Sequence, residues 1–103
     1  MAVTKVNEQN FQTEVLSSAQ TVLVDFYADW CGPCKMLSPV VDEMSEELSD
    51  CKVVKLNVDE APNLAARYNV MSIPTLMVFR QGEAVDRSVG VQSKQHILNM
   101  LKG

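Results

Sequence analysis

The sequence predicts an α/β domain: a central mixed, mostly parallel β-sheet with an antiparallel C-terminal hairpin and helices on both faces. Three observations predict it. Short β-branched apolar runs alternate with amphipathic helical patterns, the order that builds parallel pairs through crossovers. The run Thr21-Val22-Leu23-Val24-Asp25-Phe26-Tyr27-Ala28 is apolar on both faces, as in a strand covered from both sides. Gln81-Gly82 then separates two further strand patterns and reads as a hairpin turn. With 103 residues and 47% apolar composition, the chain is expected to form a single domain over 1–103.

Element by element, Thr4-Lys5-Val6 reads as a weak opening strand. Asn7 caps a helix running through Leu16, with Phe11 and Val15 spaced four apart on its inner face. A long helix is predicted from about Cys34 to Leu48, with the stripe Leu37, Val40, Val41, Met44 and Leu48 turned inward. Pro39 lies inside that pattern and predicts a kink. Lys52 to Val58 reads as a second central strand, and Asn63 to Tyr68 as a short helix. Leu76 to Phe79 and Ala84 to Val89 form the hairpin strands. Ser93 caps a last helix that turns Ile97, Leu98 and Leu101 inward.

The net charge of −4 and the absence of clustered Lys or Arg argue against nucleic acid and anionic membranes as partners. No stretch approaches the roughly 20 apolar residues of a membrane span. Met1 to Asn10 shows neither an apolar signal region nor an Arg-rich amphipathic helix, so a cytoplasmic location is expected.

Three cysteines cannot close a disulfide framework among themselves. Two stand three apart, in Trp30-Cys31-Gly32-Pro33-Cys34, between a strand and a helix. At a helix N-terminus the unpaired N–H groups and the positive end of the dipole favour an anion, which lowers a thiol pKa. Cys31 is therefore read as an activated nucleophile, and Cys34, deeper in the first turn, as less exposed. Pro33 suits a first turn that needs no N–H, and Gly32 admits close approach of a substrate backbone. Cys-x-x-Cys is also half of a zinc site, but only Cys51 and His96 remain to complete one. A structural staple is the other alternative, although so short a loop stabilises little. Cys51 is read as incidental and His96 as a surface residue.

Asp25 interrupts an apolar strand one short loop before Cys31. Burial there is expected to raise its pKa, as in a proton acceptor for Cys34; a structural buried Asp with a hydrogen-bond partner is the alternative. Lys55 interrupts the next apolar strand, where a lysine that snorkels to the surface is a close competitor. Trp30, Gly32, Pro33, Ile73, Pro74, Gly90 and Val91 are candidates for an uncharged patch around Cys31 that suits extended protein substrates. For Ile73 and Val91, ordinary core packing is a serious competitor.

The stretch Val24-Asp25-Phe26-Tyr27-Ala28-Asp29-Trp30-Cys31-Gly32-Pro33-Cys34-Lys35-Met36 resembles the active-site segment of the thioredoxin family. Pro39, Lys55, Ile73-Pro74-Thr75, Gly82 and Gly90 also fall where that family has them. The resemblance covers essentially the whole chain. It implies a thioredoxin fold with a cis proline, Pro74, facing the cysteine pair. It implies reduction of protein disulfides, with Cys31 attacking, Cys34 resolving and a thioredoxin reductase restoring the dithiol. It further implies Asp25 as the buried carboxylate, with Lys55 nearby to modulate it. Gly32 and Pro33 resemble the pair found in reductants and would tune the redox behaviour. Two departures stand out: Tyr27 where many members carry Trp, and Ser72 where many carry Gly. The redox centre is the cysteine pair itself, so no metal or organic cofactor is expected. The expected partners are disulfide-containing proteins and the reductase, met by a monomer. A thioredoxin-fold binding subunit with an idle redox pair, and an oxidase or isomerase, are the competing readings.

Overall fold

The computed structural model describes residues 3–103. Met1 and Ala2 lie outside the described residues, and so does that part of the N-terminal stretch read above. Five strands form one sheet in the order β1-β3-β2-β4-β5. They are β1 (Thr4–Val6), β2 (Thr21–Tyr27), β3 (Cys51–Asn57), β4 (Thr75–Arg80) and β5 (Glu83–Val89). Three helices accompany them: α1 (Gly32–Glu47), α2 (Pro62–Arg67) and α3 (Lys94–Lys102). Among the described residues, no helix is long and apolar enough to cross a membrane.

Strands β1, β3 and β2 run parallel, each in continuous register. β4 runs antiparallel to β2, and β5 antiparallel to β4. The sheet is mixed, as expected, but its four ladders divide evenly rather than being mostly parallel. The connection through α2 brings the chain back to the edge where β2 and β3 end, and β4 starts there and runs the other way.

Both faces of the sheet are covered. Val22, Val24, Phe26, Val54, Leu56, Met77 and Phe79 pack beneath Phe11, Val15 and Leu64 on one face. Phe11, Tyr68 and Phe79 meet there with ring centroids 5.2–5.7 Å apart. On the other face, Leu23, Val53, Leu76 and Val78 pack against Leu37, Val41 and Met44 of α1 and Ile97, Met100 and Leu101 of α3. Val40, Leu48 and Leu98 are only half-buried at the margin, whereas Met100 is buried.

The helix predicted after Asn7 forms with a difference. The Asn7 carboxamide oxygen accepts from the N–H groups of Gln9 and Asn10, at 2.9 and 3.1 Å, as a cap should. Its regular part, Gln12–Leu16, is π-helical, and the Ser17 N–H closes an i→i+5 bond to the Gln12 carbonyl. Helix α1 runs unbroken through Pro39, which supplies no N–H to the preceding turn. The Ser93 hydroxyl accepts from the His96 N–H at 3.1 Å and caps α3. In the hairpin turn, Gln81 and Gly82 both adopt positive φ, 53° and 82°. That pairing matches the right-handed twist of the flanking strands. At Gly82 an added Cβ would lie 3.0 Å from the Leu16 carbonyl oxygen.

Candidate active site

Cys31 is the N-cap of α1, in extended backbone (φ −88°, ψ 112°), and Cys34 closes the first turn. The helix thus begins at Gly32 rather than at Cys34, which makes the cysteine pair part of its N-terminal cap. The two Cα atoms are 5.2 Å apart and the sulfurs form a disulfide. The Cys34 N–H donates to Cys31 Sγ at 3.1 Å. The first turn carries no acidic residue, so nothing there opposes a negative sulfur. Cys31 Sγ also lies 3.8 Å from the Ile73 carbonyl oxygen. Both cysteines are 4% exposed. Cys34 is therefore no deeper than Cys31 in the disulfide form. The bond itself and the Ile73 segment cover Cys31, and helix spacing alone does not reveal either cover.

Asp25 stands in the middle of β2, 1% exposed. Its neighbours in register are Lys55 on β3 and Leu76 on β4. Alternation along the strands puts Leu23, Asp25 and Tyr27 on the face covered by α1. Asp25, Lys55 and Cys34 line one cavity of about 120 Å³, together with Tyr27, Ser38 and Lys35. Asp25 Oδ1 has no protein hydrogen-bond partner among the described residues. Burial is the largest influence on this carboxyl and pushes it up to about 7. Lys55 pulls it down and Asp42 pushes it further up. Lys55 Nζ donates to Ser38 Oγ at 3.3 Å and sits 4.7 Å from the centroid of the Tyr27 ring.

The Ile73–Pro74 peptide is cis, the geometry that the resemblance implies. The Gly90 N–H donates to the Pro74 carbonyl at 2.8 Å and ties the end of β5 to this segment. Gly90 has φ 93°, which favours glycine. Of the proposed patch, Trp30, Gly32, Pro33 and Val91 are exposed, Ile73 and Gly90 are half-buried, and the Pro74 side chain is buried. Pro74 therefore contributes backbone rather than apolar surface. Core packing does not account for Val91, which is 44% exposed.

Three features escape sequence reasoning. The Trp30 indole N–H donates to Asp59 Oδ2 at 2.9 Å, a pairing across 29 positions with no local signature. A groove of about 440 Å³ is lined by Trp30, Val58, Ala66, Val70, Met71 and Ile73 among others. Ser38 and Tyr27 contact Lys55, and only the fold brings them there. Cys51 is free and half-buried. Burial, then the Asp50 charge and hydrogen bond, push its thiol up, which disfavours a reactive thiolate.

A family model for thioredoxin matches residues 2–103. The chain is 50% identical to the thioredoxin of Rickettsia felis over 97 residues, covering 93% of this chain and 92% of the relative. It is 52% identical to thioredoxin 1 of Synechococcus elongatus, also over 97 residues, covering 93% and 91%. Among solved structures it resembles a single-site mutant of the thioredoxin from Halobacterium salinarum. The TM-score is 0.89 at 42% identity, over 98% of this chain and 88% of that one. A family match over nearly the whole length and a cysteine pair closed at a helix N-terminus lead to one conclusion: the chain belongs to the thioredoxin family and is a thiol–disulfide oxidoreductase.

Proposed function

We propose that the protein reduces protein disulfides through Cys31 and Cys34, with Asp25 as the proton acceptor. The Cys31 thiolate attacks one sulfur of a substrate disulfide. A Cys31–substrate mixed disulfide forms, and the other substrate sulfur leaves as a thiolate. The Cys34 thiol then gives its proton to Asp25. The Cys34 thiolate attacks Cys31 Sγ, the second substrate thiolate leaves, and the Cys31–Cys34 disulfide remains. Two electrons have passed to the substrate, and a thioredoxin reductase returns them to the cysteine pair.

The observation that carries this reading is the cavity that buried Cys34 and buried Asp25 share. At about 120 Å³ it admits several waters, each needing about 15 Å³. A carboxyl with pKa about 7 changes protonation near neutrality, as a base must. Helix N-terminal N–H groups would stabilise the Cys31 thiolate. Lys55, close enough to bias Asp25, would modulate it.

Trp30, Gly32, Pro33, Ile73, Pro74, Gly90 and Val91 would bind substrate. The Ile73–Pro74 backbone would pair with an extended segment, and the groove beside Trp30 would take its apolar side chains. Gly32 and Pro33 would tune the redox balance of the pair. A reducing compartment such as the cytoplasm suits a pair that must return to the dithiol, and a monomer leaves the patch open. Reduction of an insulin-type disulfide with dithiothreitol as donor tests the proposal. Fast reduction that vanishes in Cys31→Ser is expected. A rate no greater than with dithiothreitol alone would overturn it and favour a binding subunit.

A further inference from the structure

Asp25 and Lys55 are direct neighbours in the parallel β2–β3 ladder, so their side chains leave the sheet on the same face. A lysine stem is long enough to reach a carboxylate one strand away. An acid and a base placed this way, with the carboxyl buried, ordinarily close into an ion pair. Here they do not. Among the described residues, the ion pairs join Lys52 to Glu14 and Lys94 to Glu43 and Glu47. Asp25 enters none of them, and its Oδ1 has no protein partner.

The Lys55 ammonium has two other contacts instead. It donates to Ser38 Oγ at 3.3 Å and lies over the Tyr27 ring at 4.7 Å from the centroid. Both are placed by elements that also build the redox site. Tyr27 follows Asp25 by two residues on β2, on the same face, and is buried. Ser38 follows Cys34 by four residues on α1, one turn further along the same helix face. The hydroxyl and the aromatic face together offer the ammonium what the carboxylate would otherwise provide.

We infer that Ser38 and Tyr27 are positioning residues that hold the Lys55 ammonium off Asp25 and so leave Asp25 free to take up the Cys34 proton. The inference rests on the reading of Asp25 as proton acceptor and deepens it. A lysine in contact would favour the ionised carboxylate and make it a weaker base. At a stand-off, its pull is outweighed by burial. The other ionisable groups around Asp25 are Asp42 and Cys34 on α1, with Asp29 and Lys35 at the cavity wall. Leu76 on the β4 side brings no charge. Lys5 on β1 pairs with Lys55 from the far side of β3. Of these groups, Lys55 alone combines a direct register position with a tether that a single substitution removes.

The test is a carbon-13 NMR titration of the Asp25 carboxyl in the disulfide form, where neither active-site thiol titrates. Ser38→Ala and Tyr27→Leu are each expected to lower the Asp25 midpoint by about one pH unit, as Lys55 swings onto the carboxylate. Ser38→Thr and Tyr27→Phe, which keep the hydroxyl and the ring, stay at the wild-type value. Lys55→Met raises the midpoint, and adding Ser38→Ala to it changes nothing further. A midpoint unchanged or raised in Ser38→Ala overturns the inference. So does a shift that persists without Lys55. The titration does not depend on Asp25 acting in exchange. Failure of the base role appears separately, as an unaltered pH profile of the resolving step in Asp25→Asn.

Discussion

Replacing Asp25 by Asn removes the one group whose ionisation is most strongly opposed by the fold. The carboxyl moves from 3.8 to about 7, chiefly through burial. At about 1.4 kcal/mol per pH unit, that displacement corresponds to about 4 kcal/mol. The sign follows from proton linkage. Between pH 3.8 and 7 the folded chain holds a proton that the unfolded chain has released. Unfolding free energy therefore falls as pH rises through this window. Below it, both states are protonated and Asp25 contributes no pH-dependent penalty. Above it, the penalty is fully present. Asn carries no charge, so its advantage over Asp grows from about pH 4 to pH 7 and then levels near 4 kcal/mol. Any fixed difference between the two side chains in the cavity shifts this curve without bending it. The assay is urea unfolding of the disulfide form of both proteins at half-unit steps from pH 4 to pH 9. Parallel stability curves would refute the reasoning, because they would mean that Asp25 titrates alike in the folded and unfolded states.

Trp30→Ala removes a 70% exposed indole and its bond to Asp59. It is expected to raise KM for a protein disulfide about tenfold, as a loss of about 1.4 kcal/mol would, with little change in unfolding midpoint. Steady-state insulin reduction checks it. Phe11→Ala opens the aromatic cluster with Tyr68 and Phe79, on the sheet face opposite α1. It is expected to destabilise the fold by about 3–5 kcal/mol in denaturant unfolding while kcat/KM of the folded fraction holds. Gly82→Ala forces a positive φ on a side chain 3.0 Å from the Leu16 carbonyl oxygen. It should lower stability by about 1–2 kcal/mol, read as a lower unfolding midpoint at unchanged redox activity.

The parts of this fold legible in sequence are those whose signal is local. Ser93 caps a helix because its hydroxyl reaches an N–H three residues ahead. The double-faced apolar run around Val24 announces a central strand, and Asp25 stands out against that background. The Cys31–Cys34 spacing speaks for itself in the same way. What was not legible depends on chain reversals and long-range contacts. The π-helical hydrogen bonding of Gln12–Leu16 leaves no periodicity of its own in so short a segment. Met100 is buried and Leu98 only half so, because the sheet decides which side of α3 faces inward. The Trp30–Asp59 bond and the seat of Lys55 between Ser38 and Tyr27 join residues from different elements. The equal burial of the two cysteines comes from the disulfide itself and from Ile73, 42 positions beyond Cys31.

The direction of β4 matters more to the site than any single residue. After α2 the chain re-enters the sheet at the edge where β2 and β3 end. The Ile73–Pro74 segment just ahead of β4 therefore faces the loop that carries Cys31, and Cys31 Sγ lies 3.8 Å from the Ile73 carbonyl. A parallel β4 would start at the opposite edge, about 23 Å away along a seven-residue strand. The second reversal, through Gln81 and Gly82, returns β5 to the same edge, where Val89 pairs with Thr75 and Gly90 bonds to Pro74. Two antiparallel ladders are thus what gather three distant loops around one disulfide. A fully parallel sheet made from the same strands would leave the cysteine pair at its helix N-terminus without the backbone that faces it.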